Sequence, residues 1–272
     1  MNNQTPDTNI RQHFLINNQI LELIASQIPH GGQIIEIGAG MGQLTNKLVS
    51  HPDNKVIALE IDTRFETYLS QIQQTHSNLE IIIGNALKFN YNNFDHPWLI
   101  GNIPYHITEP LLHKFIKAKV QGIVLLVGDS FAQEATAIET NSSEIGKLSI
   151  LVHTFYRPEI VAKVDKKYFN PPPRTQSAIL KLTPRLATDY QDKKLFLLRH
   201  LFLTAHFGTL LKNSLMAGLI RFENNKLTKN EARKIVSKYN VSDRILNKQF
   251  EQLNNEEYSS LFQSSQKNIL VG

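Results

Sequence analysis

The sequence predicts an α/β fold, a parallel doubly wound sheet followed by a small all-helical domain. Three observations predict it. Five short apolar runs in the first half alternate with helical patterns. Two later strand-like runs follow with no helix between them. From about Gln191 onward only helical patterns remain. Strand–helix alternation is the signature of a sheet whose parallel strands are joined by helical crossovers.

The strands come in order. "QIIEIG" (33–38), "KVIALE" (55–60), "LEIIIG" (79–84), "PWLIGN" (97–102) and "QGIVLLV" (121–127) are continuous apolar runs, as strands covered on both faces must be. Helical segments are expected near 17–28, 41–50, 64–75 and 109–117. "RPEIVAKVD" (157–165) and "SAILKL" (177–182), joined by "KKYFNPPPRTQ", read as antiparallel strands at the sheet edge, where proline tolerates a missing ladder bond. "YQDKKLFLLRHLFLTAHF", "TKNEARKIVSKY" and "NEEYSSLFQ" are helical, and Thr228 with Glu231 three residues on has capping-box spacing. The domain boundary is expected between 185 and 190, giving domains 1–187 and 188–272.

Bulk composition narrows the function. With 272 residues and 41% hydrophobic side chains, the chain can build a sizeable core. The absence of cysteine excludes disulfides, thiolate metal sites and a cysteine nucleophile, and suits a reducing cytoplasm. No secretory h-region opens the sequence, and no apolar run reaches the ~18 residues of a membrane span. The ten histidines are scattered, so no metal site is expected. Charge is divided along the chain: residues 1–100 carry 5 basic and 9 acidic residues, residues 101–272 carry 24 and 15. An acidic first part suits a partly cationic ligand, and a basic second part suits a polyanion.

"EIGAGMGQLT" places Gly38, Gly40 and Gly42 between a strand and a helix. Glu60 closes the next strand, 18 positions after Gly42, where a carboxylate can accept ribose hydroxyls. The pattern is G-x-G-x-G rather than the dinucleotide G-x-G-x-x-G. Glu36 ahead of it would repel a pyrophosphate and attract an ammonium. S-adenosyl-L-methionine, which has a sulfonium, an ammonium and a ribose but no phosphate, is therefore preferred to a dinucleotide. Asn85, in "GNALKF", could reach the adenine edge or simply shape a strand-to-helix turn.

"GNIPYHI" (101–107) leaves the fourth strand at its carboxyl end, where ligands gather in such sheets. A planar amine on a heteroaromatic ring is a poor nucleophile. The Asn102 side-chain oxygen and the Ile103 carbonyl could accept its N–H groups as the nitrogen becomes pyramidal. Pro104 would stiffen that loop, and Tyr105 would offer a stacking face.

Taken in order, these motifs resemble the rRNA adenine N6,N6-dimethyltransferases of the KsgA type, which modify small-subunit ribosomal RNA. The erythromycin-resistance methyltransferases share many of them. "QHFL" (12–15), "EIGAGMGQLT", "ALEID", "GNIPYHI", "GKLSILV" (146–152), "YFNPPPRTQSAILKL" (168–182), "KNSL" (212–215) and "RILNKQFEQLNNEEYSSLF" carry the resemblance. It implies a Rossmann-like class I methyltransferase fold, a mostly parallel seven-stranded sheet with an antiparallel edge strand, and a helical RNA-facing C-terminal domain. It implies dimethylation of two adjacent adenosines in small-subunit rRNA during ribosome maturation, by a cytoplasmic monomer without a metal. Gln12, His13 and Leu15 would border the cofactor, Gly38 and Gly40 its methionine side, Glu60 its ribose and Asn85 its adenine. Asn102 would hold the target amine beside the methyl donor, and Tyr105 and Phe169 would stack on the flipped adenine. Lys166, Lys167, Arg174 and Lys212 are the expected RNA contacts.

The sequence departs from the family pattern at several points. Asn85 replaces an aspartate and His13 an asparagine. Only Arg11 is basic ahead of Gln12. Gly128, Asp129 and Ser130 stand for Gln-Lys-Glu, Glu134 for an arginine, and "GTLLKNSL" lacks the usual basic run. Most of these changes remove RNA-facing charge, which weakens phosphate binding. They keep two alternatives open: a large-subunit, resistance-type methyltransferase, and a weakly catalytic RNA-binding assembly factor.

Overall fold

The computed structural model describes residues 13–137, 145–205 and 208–267. Gln12, Arg11 and the side chain of Tyr105 lie outside the described residues. The chain forms two compact units, Met1–Gln133 with Pro158–Pro184, and Glu134–Arg157 with Arg185–Gly272. Compared with a single cut after residue 187, this grouping moves residues 134–157 to the helical unit.

The first unit opens with β1 (Phe14–Leu15) and α1 (Asn18–Ala25), whose N-cap Asn17 accepts the Ile20 N–H at 3.0 Å. There follow β2 (Gln33–Ile37), α2 (Gln43–Val49), β3 (Lys55–Glu60), α3 (Glu66–Thr75) and β4 (Leu79–Ile83). Next come β5 (Trp98–Asn102), α4 (Tyr105–Phe115), β6 (Gly122–Gly128) and α5 (Asp129–Thr136). After α6 (Lys147–Phe155) come β7 (Tyr156–Val164), the two-residue β8 (Phe169–Asn170) and β9 (Ser177–Pro184).

Seven strands form one sheet in the order β4-β3-β2-β5-β6-β9-β7. The ladders joining β4, β3, β2, β5 and β6 are parallel, and β9 runs antiparallel to β6. The antiparallel β9 thus sits one place in from the edge, and β7 is outermost. The central strands are apolar throughout because both faces are covered: Ile34, Ile35, Leu99, Ile100, Ile123 and Val124 are fully buried. Truncating Leu99 to alanine would cost about 2–5 kcal/mol, through lost transfer energy and the cavity left behind.

Chain order reverses at the neighbours β2 and β5, which opens a crevice at the carboxyl ends of these strands. Gly101 makes that junction close. A Cβ there would collide with the carbonyl of Ile37, so only glycine lets β5 lie this near β2. A second, two-stranded sheet pairs β1 with β8, matching Phe14 to Asn170 and Leu15 to Phe169.

In the helical unit, α6 is buried nearly all round and is followed by α7 (Lys193–Thr204), α8 (Leu211–Phe222), α9 (Lys229–Val236), α10 (Asp243–Leu246) and α11 (Asn255–Lys267). Its core includes Ile150, Leu198, Leu215, Val236, Phe250 and Tyr258. The Thr228–Glu231 capping box starts α9: the Glu231 N–H donates to Thr228 Oγ1 at 3.3 Å, and the Thr228 N–H to Glu231 Oε2 at 2.8 Å. Among the described residues no helix is long and apolar enough to cross a membrane.

Candidate active site

The crevice is a cleft of about 470 Å³. His13, Leu15, Gly38, Gly40, Glu60, Asn85, Asn102, Ile103, Pro104 and Phe169, ten residues singled out in the sequence, all line it. They come from β1, the loops after β2, β3, β4 and β5, and β8.

The glycine loop after β2 has positive φ at Gly38 (74°), Gly40 (54°) and Gly42 (83°). At Gly40 space is short as well as backbone unusual, since a Cβ there would meet the Phe14 ring at 3.2 Å. The Gly40 N–H donates to Glu60 Oε2 at 2.7 Å, tying the loop to the end of β3. Glu60 Oε1 accepts the N–H groups of Ile61 and Asp62, both at 2.9 Å. A carboxylate offers about four acceptor sites, so three backbone donors leave about one for a ligand hydroxyl.

Glu36 on β2 also lines the cleft and is buried. Thr45, fully buried on α2, donates to its Oε2 at 2.6 Å. Burial pushes the Glu36 carboxyl up to about 8, the charge of Glu60 adds to the rise, and the Thr45 hydrogen bond opposes it. Two acids at one end of a partly enclosed cleft favour a cationic ligand. An ammonium or sulfonium there would relieve the penalty that burial places on the ionised Glu36.

Another part of the lining is apolar. Ile61 follows Glu60 directly and is 61% exposed, and Leu87 is 37% exposed. Such exposure of large apolar side chains inside a cleft suits a flat ring. Sequence reading did not single these two out; the one signal was an apolar residue straight after a strand-end acid. Leu21, Ile24, Gln43 and His106 are further lining residues it missed. Asn85 lies beside this wall, and its Oδ1 accepts the Leu87 N–H at 2.8 Å. Its side chain therefore shapes the turn as well as facing the cleft.

At the mouth, Asn102 ends β5 and its Nδ2 donates to the His13 carbonyl at 2.8 Å. A carbonyl only accepts, so the amide nitrogen must face His13, which leaves Oδ1 for another donor. Ile103 is buried and its N–H donates to the Leu126 carbonyl at 3.3 Å. Pro104 holds φ at −55° and caps α4. Phe169 on β8 is buried at the cleft wall.

The expected RNA contacts are not in the cleft. Lys166, Lys167 and Arg174 are exposed on the segment between β7 and β9. Lys167 lies 5.2 Å from the Tyr168 ring centroid and 3.8 Å from Asp165. Lys212 belongs to the helical unit, is half-buried on α8 and donates to Asn247 Oδ1 at 2.7 Å. Among the described residues, no group of three or more His, Asp or Glu is arranged to hold a metal ion.

Comparison with known proteins agrees with this geometry. The sequence model of a family described as "Ribosomal RNA adenine dimethylase" matches residues 3–259. A protein of Methanosarcina mazei named "Probable ribosomal RNA small subunit methyltransferase A" is 32% identical over 253 residues, 92% of this chain and 89% of its own length. A solved dimethyladenosine transferase from Plasmodium falciparum superposes with a TM-score of 0.61 at 27% identity, covering 95% of this chain and 99% of the other. The solved 23S rRNA methyltransferase ErmE gives a TM-score of 0.58 at 22% identity, covering 93% and 100%, a likeness of fold alone.

Proposed function

This chain belongs to the ribosomal RNA adenine dimethylase family, and on that premise we propose that its cleft performs N6 dimethylation of two adjacent adenosines in small-subunit ribosomal RNA. The protein is an S-adenosyl-L-methionine-dependent rRNA adenine dimethyltransferase with a class I methyltransferase fold. The cofactor supplies an electrophilic methyl group on a sulfonium. The acidic and apolar parts of the cleft fit such a molecule: Glu36 would lie by its cationic part, Glu60 would offer its remaining acceptor site to the ribose, and Ile61 and Leu87 would flank the adenine.

The observation that carries the reading is the Asn102 hydrogen bond to the His13 carbonyl. It orients the amide so that Oδ1 can accept an N–H from the adenine amine. Accepting that hydrogen bond raises electron density on a nitrogen whose lone pair is otherwise spread into the ring, and it stabilises positive charge as the new bond forms. Pro104, lacking an N–H and fixed in φ, keeps the Ile103 carbonyl in place as the second acceptor. Phe169 and Tyr105 stack on the extruded base, which must leave its own stack to be reached. Most of the acceleration comes from positioning.

Lys166, Lys167 and Arg174 contact phosphates beside the cleft and Lys212 contacts RNA from the helical unit. The protein acts as a cytoplasmic monomer on small-subunit precursors. The reading is tested by transfer of labelled methyl groups to small subunits isolated without this modification. Incorporation at two adjacent adenosines is expected there and not in isolated large-subunit RNA. Labelling of large-subunit RNA alone, or of neither, would overturn it.

A further inference from the structure

One residue touches both halves of the site. The His13 carbonyl accepts from Asn102 Nδ2 at 2.8 Å, and its ring Nδ1 lies 2.9 Å from the Pro171 carbonyl. Because a carbonyl has no proton to give, Nδ1 must carry the hydrogen and donate it. The two contacts connect positions far apart in sequence, 13 with 102 and 13 with 171.

The surroundings make this bridge the end of a longer connection. β1 is only two residues long, and its strand partner is β8. Leu15 pairs with Phe169, Phe14 pairs with Asn170, and the Ile16 N–H donates to the Tyr168 carbonyl at 2.9 Å. The position of β1 is therefore set by the 168–171 segment. That segment carries Phe169 and directly follows the exposed Lys166 and Lys167. An asparagine amide has a broad, nearly two-fold terminal torsion, so nothing intrinsic tells its oxygen from its nitrogen. The His13 carbonyl supplies that distinction for Asn102.

We propose that His13 is a positioning residue: it registers the 168–171 segment against Asn102, so that the stacking face for the adenine and the acceptor for its amine are held in one fixed relation. The inference rests on the reading of Asn102 as the holder of the target amine. The ring of His13 is the side-chain link in a connection otherwise made by backbone. Substitution at this position should therefore act on the orientation of Asn102, beyond any effect it has on cofactor binding as a residue lining the cleft.

The test compares His13→Leu, which keeps bulk and loses the Nδ1 donor, with His13→Asn, which keeps a short N–H donor. With S-adenosylmethionine saturating for each protein, His13→Leu should lower kcat by about 10-fold or more, as expected when a reacting group is misplaced beyond any loss of binding. His13→Asn should recover most of that rate. Calorimetry with S-adenosylhomocysteine gives the affinity of all three proteins and so separates a loss of binding from a loss of rate. NMR reads the geometry without turnover. The Asn102 side-chain amide protons, identified by their absence in Asn102→Ala, should be protected from exchange in the wild-type protein and lose protection in His13→Leu. An unchanged kcat in His13→Leu, no recovery in His13→Asn, or an unprotected Asn102 amide in the wild-type protein would each overturn the proposal. If Asn102→Ala itself kept full rate, the underlying reading would fail instead. If Asn102→Ala lost activity while His13→Leu kept it, this inference alone would be lost.

Discussion

The carboxylates in the cleft of the α/β unit and three cations of the helical unit are held in opposite ways. In the α/β unit Glu36 and Glu60 are buried, and each is fixed by short hydrogen bonds: one from Thr45, three from backbone N–H groups. In the helical unit, the half-buried Lys193 and Lys194 and the exposed Arg199 rest on neighbours. Lys193 lies 3.6 Å from Glu223, Lys194 sits 3.7 Å over the Phe262 ring, and Arg199 lies 4.8 Å over Tyr190. A buried carboxylate held by several donors has one geometry, and losing it exposes orphaned donors. An exposed pair of this kind contributes about 0–1 kcal/mol and can be exchanged with little consequence. The cleft carboxylates are therefore fixed in place, while these three cations are loosely held. Of the sequence's departures from the family pattern, only His13 and Asn85 line the cleft among the described residues.

The comparison can be broken first at Glu60. Glu60→Gln replaces a carboxylate oxygen with an NH2 group that faces backbone donors. Affinity for S-adenosylhomocysteine should fall about 10–100-fold, the range for a lost hydrogen bond to a charged group. Calorimetry checks this, with circular dichroism to confirm folding. An unchanged affinity would detach Glu60 from the ligand.

Glu36 gives a smaller effect with a distinctive pH dependence. Its carboxyl is lifted from 4.5 to about 8, by burial first and the nearby Glu60 second. The folded protein thus keeps a proton that the unfolded chain releases above about 4.5. The stability it contributes is full below pH 4.5 and is lost as pH rises through about 8. Glu36→Gln removes this titration, so Tm should fall less between pH 6 and 9 in the variant than in the wild type. A cation in the cleft favours the ionised form. Cofactor binding near pH 7 should therefore release a proton, read as a dependence of binding enthalpy on the buffer's ionisation enthalpy. Equal proton release in Glu36→Gln and the wild type would contradict this assignment.

The mildest change is expected at the surface. Replacing Lys166, Lys167 or Arg174 by alanine should lower the salt slope of RNA binding by about one each and leave cofactor affinity alone. Lys212→Ala should do less, since its ammonium already donates to Asn247. Filter binding across a salt series measures both. A rate loss at saturating RNA would place these residues closer to the chemistry than the structure does.

The sheet was legible because strands covered on both faces leave uninterrupted apolar runs, and the glycine loop, Glu60 and Asn102 because they sit where such strands end. What escaped had no local pattern. β1 and β8 are two residues each, too short for any period. α6 is buried nearly all round, so "KLSILVHTF" lacks the polar face that marks a helix. α4 begins at Tyr105, although Pro110 suggests a start near 109; the helix accepts a proline in its interior, without an N–H to give the preceding turn. Ile61 and Leu87 are isolated exposed side chains whose role comes only from the cleft around them. The His13 bridge spans 158 residues to Pro171, and no short-range rule reaches that far. For Asn85 the sequence offers an adenine contact or a turn former, and its Oδ1 accepts the Leu87 N–H, the bond of a turn.

Single-turnover methyl transfer by Asn102→Ala, with S-adenosylhomocysteine affinity measured on the same preparation, tests the central claim most directly. A rate at least about 100-fold slower, the scale for removing a group that stabilises the transition state, with cofactor affinity within about 3-fold of the wild type, is the predicted result. A rate near that of the wild type, or a loss fully matched by weaker cofactor binding, would contradict it.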